Sequence, residues 1–286
     1  MNLPPLIITT QSIFFRIFTI LCALFLLDPL LKKNAHAEVN AHSHNDYEQS
    51  RPLFEALERG FGSVEADVFL VQGRLLIGHS VQSLKPHRTL ESMYLDPLRT
   101  WFKAHPDSSQ RRKPLQLLVD VKTEANSTWI ALHSVFTNYS DLLTRFESTN
   151  TIKQSVMVVI SGNRSVELMQ QQQPRYAAYD GRLEDLTSPT PRTSAFMPLV
   201  SGAWPSFFKW RGHGEFPELE RKQLQAWVLL THQQGRTLRF WGAPDELNTW
   251  RELASAGVDW INTDHIVALA DFLRTQPRPV QAPRTP

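Results

Sequence analysis

Short apolar, β-branched-rich runs alternate along the chain with stretches whose apolar positions recur at helical spacing. Residues 39–43 form the first apolar run. Residues 51–60, RPLFEALERG, place Leu53, Phe54, Ala56 and Leu57 at helical spacing and stop at Gly60. Strands are predicted over 63–70 (SVEADVFL), then through a Gln72-Gly73 turn into 75–78, and over 115–121 and 155–160. The last of these, SVMVVI, is apolar on both faces, as a buried parallel strand is. Weaker strand patterns fall at 176–179 and 195–200, and clearer ones at 238–241 and 258–262. Helices are predicted from Pro97 with Asp96 as cap, over 128–146, over 219–234, from Pro244 to Gly257, and from His265. This makes about eight strands, mostly separated by helices, and repeated βα order implies a parallel sheet with right-handed crossovers. No internal repeat, dinucleotide glycine fingerprint, phosphate-binding P-loop or GxSxG elbow interrupts the pattern.

The two ends do not fit it. Residues 17–27, IFTILCALFLL, are apolar and preceded by Arg16, and Ala35-His36-Ala37 follows as a small-x-small cleavage pattern. Residues 1–37 therefore read as a secretory signal peptide, and the run is short of the ~20 residues that span a bilayer. The expected location is secreted or periplasmic; the alternative is an uncleaved N-terminal anchor. Leu21 stands before Cys22 where a lipoprotein signal takes a small residue. After Gln276 the chain reads PRPVQAPRTP, and 277–286 is expected to be a disordered Pro-rich tail. A core domain over 38–276 remains, close to the ~250 residues usual for a single (β/α)8 TIM barrel. Eight βα units at this length favour that closed barrel over an open sheet.

Composition narrows the partners. The full chain has 30 Lys+Arg against 28 Asp+Glu. Cleavage removes Arg16, Lys32, Lys33 and Asp28, leaving basic and acidic side chains equal in number. Nothing in that balance suggests a nucleic-acid partner. The single Cys excludes an internal disulfide framework and any Cys-based zinc cluster. Oligomeric state is not encoded in these features.

Ionisable residues gather at the C-terminal ends of the early strands, the edge where barrel active sites sit. The first strand runs into His42-Ser43-His44-Asn45-Asp46; Glu65 and Asp67 lie on the second; His79 follows the turn strand; Asp120 and Lys122 lie on the third. Strand residues two apart share a face, roughly 6.5 Å apart. Glu65, Asp67 and Asp120 can thus converge, and three carboxylates in an apolar wall call for a cation. An all-oxygen set suits one hard divalent ion, Mg2+ or Ca2+. Lys122 is placed to hold an anionic substrate oxygen. With histidines as acid and base, the set suits phosphodiester chemistry.

The runs AHSHNDY, RPLFEALERGFGSVEADVFLV, GRLLIGHS and LLVDVK resemble the glycerophosphodiester phosphodiesterase superfamily of phospholipase-C-like barrels. HSHNDY with VEADV is most similar to its branch of altered inheritance of mitochondria protein 6-like proteins. The likeness is strongest over 40–122 and returns at RFWGAPDELNTWRELASAGVDWINTD. It implies a PLC-like phosphodiesterase TIM barrel, with His42 and His79 as catalytic imidazoles and Glu65, Asp67 and Asp120 as metal ligands. It also implies Lys122 at the substrate phosphate and Trp241 beside the head group. The family's usual HRG and PENT-like turn are replaced here, so His42 and His44 are both candidates for the first imidazole. Ser80 follows His79 where the family commonly has Asp.

The resulting expectation is a metal-dependent phosphoric diester hydrolase acting on a phospholipid or glycerophosphodiester-like substrate, with contact to a membrane surface. A cyclising route is as compatible with these residues as direct hydrolysis. Two other classes compete. His42-x-His44 fits an HxH-type metal hydrolase, but the fourth to sixth strands carry no His to complete such a site. A non-catalytic lipid- or envelope-binding barrel is the other. Trp204, Phe207, Phe208 and Trp210 read either as a packed loop or as an apolar lip.

Overall fold

The computed structural model describes residues 40–105 and 114–275. The expected leader and Pro-rich tail lie outside the described residues. Eleven strands occur among the described residues: β1 (Asn40–Ser43), β2 (Ser63–Val71), β3 (Arg74–Ile77), β4 (Leu115–Val121), β5 (Arg145–Phe146), β6 (Thr151–Ile152), β7 (Val156–Gly162), β8 (Ala177–Arg182), β9 (Leu199–Ala203), β10 (Thr237–Trp241) and β11 (Trp260–Thr263). Eight run parallel in the order β1-β2-β4-β7-β8-β9-β10-β11, and β11 pairs back onto β1. The sheet is a closed (β/α)8 barrel. β3 folds back antiparallel on β2 through the Gln72-Gly73 turn, and β5 with β6 makes a separate two-stranded ribbon.

The barrel explains the uninterrupted apolar runs. Leu117, Leu118 and Val119 on β4, and Val158, Val159 and Ile160 on β7, are all buried because one face meets the interior and the other the helices. Helix Ala125–Thr137 packs Trp129, Leu132 and Phe136 inward, each contributing about 1.5–3 kcal/mol over leaving it in water.

Several element boundaries differ from the sequence expectation. That helix starts at Ala125 because the Glu124 carboxylate caps it, accepting from the backbone N–H of Asn126 and Ser127 at 2.9 and 2.8 Å. It ends at Thr137; Tyr139, Leu142 and Leu143 keep helical spacing but are buried from a turn. Asp96 is not a cap. It is the first residue of helix Asp96–Ala104, continuous with the turn Glu91–Leu95, and accepts the Tyr139 hydroxyl at 2.7 Å. Residues 193–197 form a turn rather than the start of a strand, closed by Met197 N–H to the Thr193 carbonyl at 2.9 Å. Phe196 and Met197 are buried without being strand residues, which is why their hydrophobicity misleads.

Parallel strands bring eight C-terminal ends to one mouth. Below it the interior is polar. His42, Glu65, Asp180, Ser201 and Arg239 are all buried there, joined by hydrogen bonds across the barrel. Gly162 closes β7 at φ +66, and a Cβ on it would overlap the Asp120 carboxylate and the Val121 backbone. Gly162→Ala should therefore cost at least about 1–2 kcal/mol from the left-handed backbone alone, and more from overlap. Urea denaturation would measure that loss; unchanged stability would refute the close approach.

Candidate active site

Glu65 and Asp67 on β2 and Asp120 on β4 meet at the mouth, with one carboxylate oxygen from each lying within 4.8 Å of the others. Oxygens sharing one Ca2+ sit at most about 5 Å apart, twice a 2.3–2.6 Å bond; Mg2+ draws them slightly closer. The register sets this up, since Asp67 on β2 lies opposite Asp120 on β4. Lys122 bridges the pair, its Nζ 3.2 Å from Asp67 Oδ2 and 3.0 Å from Asp120 Oδ2. Tyr47 donates its hydroxyl to Asp67 Oδ2 at 2.7 Å. Asp67 Oδ1 is buried with no hydrogen-bond partner. A buried, unpartnered carboxylate oxygen beside two further acids fits a divalent cation, because orphaned acceptors of this kind cost about 1–3 kcal/mol.

The charges carry the same message. Burial, then the Glu65 charge, pushes Asp67 up to about 6 despite Lys122 and Tyr47. Asp120 is raised for the same two reasons. Burial alone would raise Glu65 too, but the Arg239 guanidinium and His42 outweigh it and hold Glu65 well below the usual carboxylate range. Arg239 Nη2 and His42 Nε2 both lie 2.9 Å from Glu65 Oε2.

The histidines divide into different environments. His42 is fully buried; its Nε2 faces Glu65 Oε2 and its Nδ1 lies 2.7 Å from Ser63 Oγ. Gln116 Nε2 donates to the same Ser63 oxygen at 2.9 Å. Burial, then the Arg239 charge, lowers His42 to about 3, so the ring is neutral and both nitrogens are occupied. His44 is partly exposed, and its Nδ1 lies 2.9 Å from Asp264 Oδ1 on the turn after β11. Burial lowers its pKa, but Asp264 and the Glu65 charge outweigh burial and raise it above the ordinary value. His79 is exposed, its Nδ1 3.3 Å from the Tyr47 hydroxyl and 3.9 Å from Asp67 Oδ2.

Trp241 ends β10 at the mouth and is 43% exposed. The other aromatic group resolves the two readings of its loop. Trp204, Phe208 and Trp210 are buried, with Trp204 and Phe208 rings stacked at 4.1 Å and Phe240 against both. It is a packed loop and not a lip.

Sequence reasoning missed Tyr47, Arg239 and Asp264. Arg239 had a signal, an arginine in the middle of an apolar strand pattern, LRFW. Asp264 had a weaker one, an acid directly after the last strand, WINTD. Tyr47 had none, because nothing local to DYE shows that its hydroxyl meets β2. His42 and His44 do not join a multi-ligand group: the cluster found among the described residues is the three acids alone.

The fold and the mouth define a glycerophosphodiester phosphodiesterase-type barrel. A crystal structure of a glycerophosphodiester phosphodiesterase from Parabacteroides distasonis shares the architecture at TM-score 0.51 and 14% identity, covering 84% of this chain and 98% of that one. The chain belongs to the AIM6-like phosphodiesterase domain family, whose model matches residues 32–180. Among curated relatives it is similar to the altered inheritance of mitochondria protein 6 homolog of Arthroderma benhamiae, at 28% identity over 82% of this chain and 83% of the relative. It is also similar to altered inheritance of mitochondria protein 6 of Eremothecium gossypii, at 26% identity over 85% and 71%.

Proton and metal should compete for the acids. Asp67 and Asp120 are raised in the folded, metal-free protein. Their contribution to stability is therefore present below about pH 4, the unfolded value, and for Asp67 is lost as pH rises through about 6. Ca2+ or Mg2+ should raise the thermal midpoint more at pH 7.5 than at pH 5, and Asp67→Asn should shrink the pH 7.5 shift. A shift that is equal at both pH values would contradict a cation on these carboxylates.

Proposed function

We propose that this protein is a metal-dependent phosphoric diester hydrolase acting on a phospholipid or glycerophosphodiester-like substrate. The observation that carries the reading is the meeting of Glu65, Asp67 and Asp120, with Asp67 Oδ1 unpartnered, beside one carboxylate-oriented and one exposed imidazole. A divalent cation held by those three acids would withdraw charge from a non-bridging phosphate oxygen. Lys122, which bridges Asp67 and Asp120 at the same mouth, would bind the other non-bridging oxygen.

The geometry favours His44 over His42 as the working imidazole. His42 is neutral, buried and fully bonded, and its role is to hold Glu65. His44 gives Nδ1–H to Asp264, which fixes its tautomer and leaves Nε2 for the substrate. The raised pKa keeps His44 protonated further into the neutral range, suiting it to protonate the leaving alkoxide. His79, across the acids and braced by Tyr47, takes the proton of the attacking hydroxyl. Trp241 offers an exposed ring to the alcohol or acyl portion. With its N-terminal leader pattern, the protein is proposed to meet this substrate outside the cytoplasm.

His44→Ala should lower kcat/KM on a diester by about 10²–10⁴-fold, the usual worth of a general acid. Asp264→Asn removes the group that raises the His44 pKa, so the alkaline limb of the pH–rate profile should move to lower pH. Assays of glycerophosphodiesters, lysophospholipids and bis(p-nitrophenyl) phosphate with Mg2+ or Ca2+ would read both effects. No EDTA-sensitive turnover from folded protein would overturn the assignment.

A further inference from the structure

The wall of the mouth formed by β7 and β8 carries charge that the proposed chemistry does not use. Asp180 on β8 is fully buried; its Oδ2 accepts Ser161 Oγ at 2.7 Å and Arg182 Nη1 at 2.8 Å, and its Oδ1 accepts Ser201 Oγ at 2.8 Å. These bonds come from β7 and β9 as well as β8, so Asp180 is a fixed pin. What it pins is Arg182, the last residue of β8, whose side chain is 30% exposed. Arg182 spends one nitrogen, Nη1, on both Asp180 and the Gly181 carbonyl, which leaves the rest of its guanidinium fork uncommitted.

Arg164, just after β7, donates to the Asp180 backbone carbonyl and lies 4.7 Å from the centre of the Tyr179 ring. Among the described residues no carboxylate comes within 4.0 Å of it in an ion pair. Burial, then the charge of Arg182, lowers its pKa, so the two guanidinium groups feel each other. Only Arg182 reaches the Asp180 carboxylate, which two hydroxyls already occupy, while Arg164 is bonded to the Asp180 backbone carbonyl. The uncommitted part of the Arg182 fork, with Arg164 anchored on the same strand, offers N–H donors to an anion.

Position says what that anion is. β8 is two strands from β4, across β7, which places Arg182 roughly 10 Å from the Lys122 strand. The scissile phosphate belongs at Lys122, so the Arg182 fork faces a group several bonds away on the same substrate. On the other side, Arg182 pairs in register with Ser201, and the next inward position on β9 is Ala203, opposite Trp241.

We propose that Arg182, supported by Arg164, is a second anion subsite, and that the substrate is a phosphodiester whose head group carries a further acidic group. This deepens the phosphodiesterase reading and rests on it for the word substrate, but the anion site itself stands on Asp180, Arg182 and Arg164. A guanidinium fork takes a carboxylate or a phosphate through paired N–H bonds, and a charge-assisted pair of this kind is worth about tenfold or more in selectivity.

Two matched pairs differing by one carboxylate test it. Glycerophosphoserine should be hydrolysed with kcat/KM about tenfold or more above glycerophosphoethanolamine, and lysophosphatidylserine likewise above lysophosphatidylethanolamine if the group arrives on a lipid. Independently of turnover, calorimetric titration of the metal-loaded protein should show O-phosphoserine binding about tenfold or more tighter than phosphoethanolamine. Arg182→Gln should bring both ratios close to one, with Arg182→Lys between. Arg164→Gln, the second variant, should lower both ratios in part, and thermal midpoints confirm that each variant is folded. Equal affinities for the two phospho-amines in the native protein, or a preference that survives both glutamine variants, would overturn the subsite. Binding preference without any turnover would support the subsite while refuting the phosphodiesterase reading.

Discussion

A single buried carboxylate organises the barrel interior. Glu65 is almost without solvent, and an isolated carboxylate there would take up a proton and cease to attract a cation. Arg239 from β10 and His42 from β1 prevent this by meeting the same oxygen from different strands. Asn262 on β11 in turn accepts from Arg239 Nε at 2.9 Å. Four strands are therefore tied to one charge. Removing one partner of such a buried pair costs about 3–5 kcal/mol, because it strands the other, so Arg239 and Glu65 constrain each other.

That arrangement separates two tasks that the first motif could have combined. One imidazole, His42, is neutral, sealed, and bonded through Ser63 to Gln116. The second, His44, stands two residues further along the strand direction, where the chain leaves the sheet and meets Asp264. Asn45 next to it adopts a left-handed backbone, φ 45, and the turn that follows brings Tyr47 back over Asp67. The HSHNDY run is thus one continuous device, with a buried holder, a partly exposed imidazole, a turn residue and a brace for the acid on β2. The guanidinium that meets the acid comes not from this run but from Arg239, across the barrel.

Much of this was legible from local spacing. The alternation of strands and helices gave the barrel, and E-x-D on one strand with D-x-K on its neighbour gave the acid cluster, because period-two alternation decides facing within a strand. What spacing does not carry is which distant strand closes a pair. Arg239 meets Glu65 across 174 residues, and Asp264 meets His44 across 220. Both depend on closure of β11 onto β1, which the sequence implies only in general. Burial inside a polar layer is equally invisible: His42 and His44 read alike in HSH, yet one is sealed and the other is not. The helix that ran too far, past Thr137, and the aromatic loop at Trp204 show the converse, apolar residues at suggestive spacing that satisfy the core from turns.

The division also bears on what kinship can say. The family model matches residues 32–180, which take in the acids, all three candidate histidines and Lys122, but stop before Arg182, Arg239, Trp241 and Asp264. The matched half therefore carries the whole acid cluster and the lysine that bridges two of its members. The closing half supplies the guanidinium that keeps Glu65 ionised and the carboxylate that meets His44. The two halves of the barrel are joined by the β1–β11 and β1–β2 ladders. The hydrogen bonds of Asp180 on β8 run to Ser161, Arg182 and Ser201, so this charged group is separate from the one around Glu65. Arg239 lies outside the matched residues but is bonded to Glu65 within them, so the two halves constrain each other at that pair.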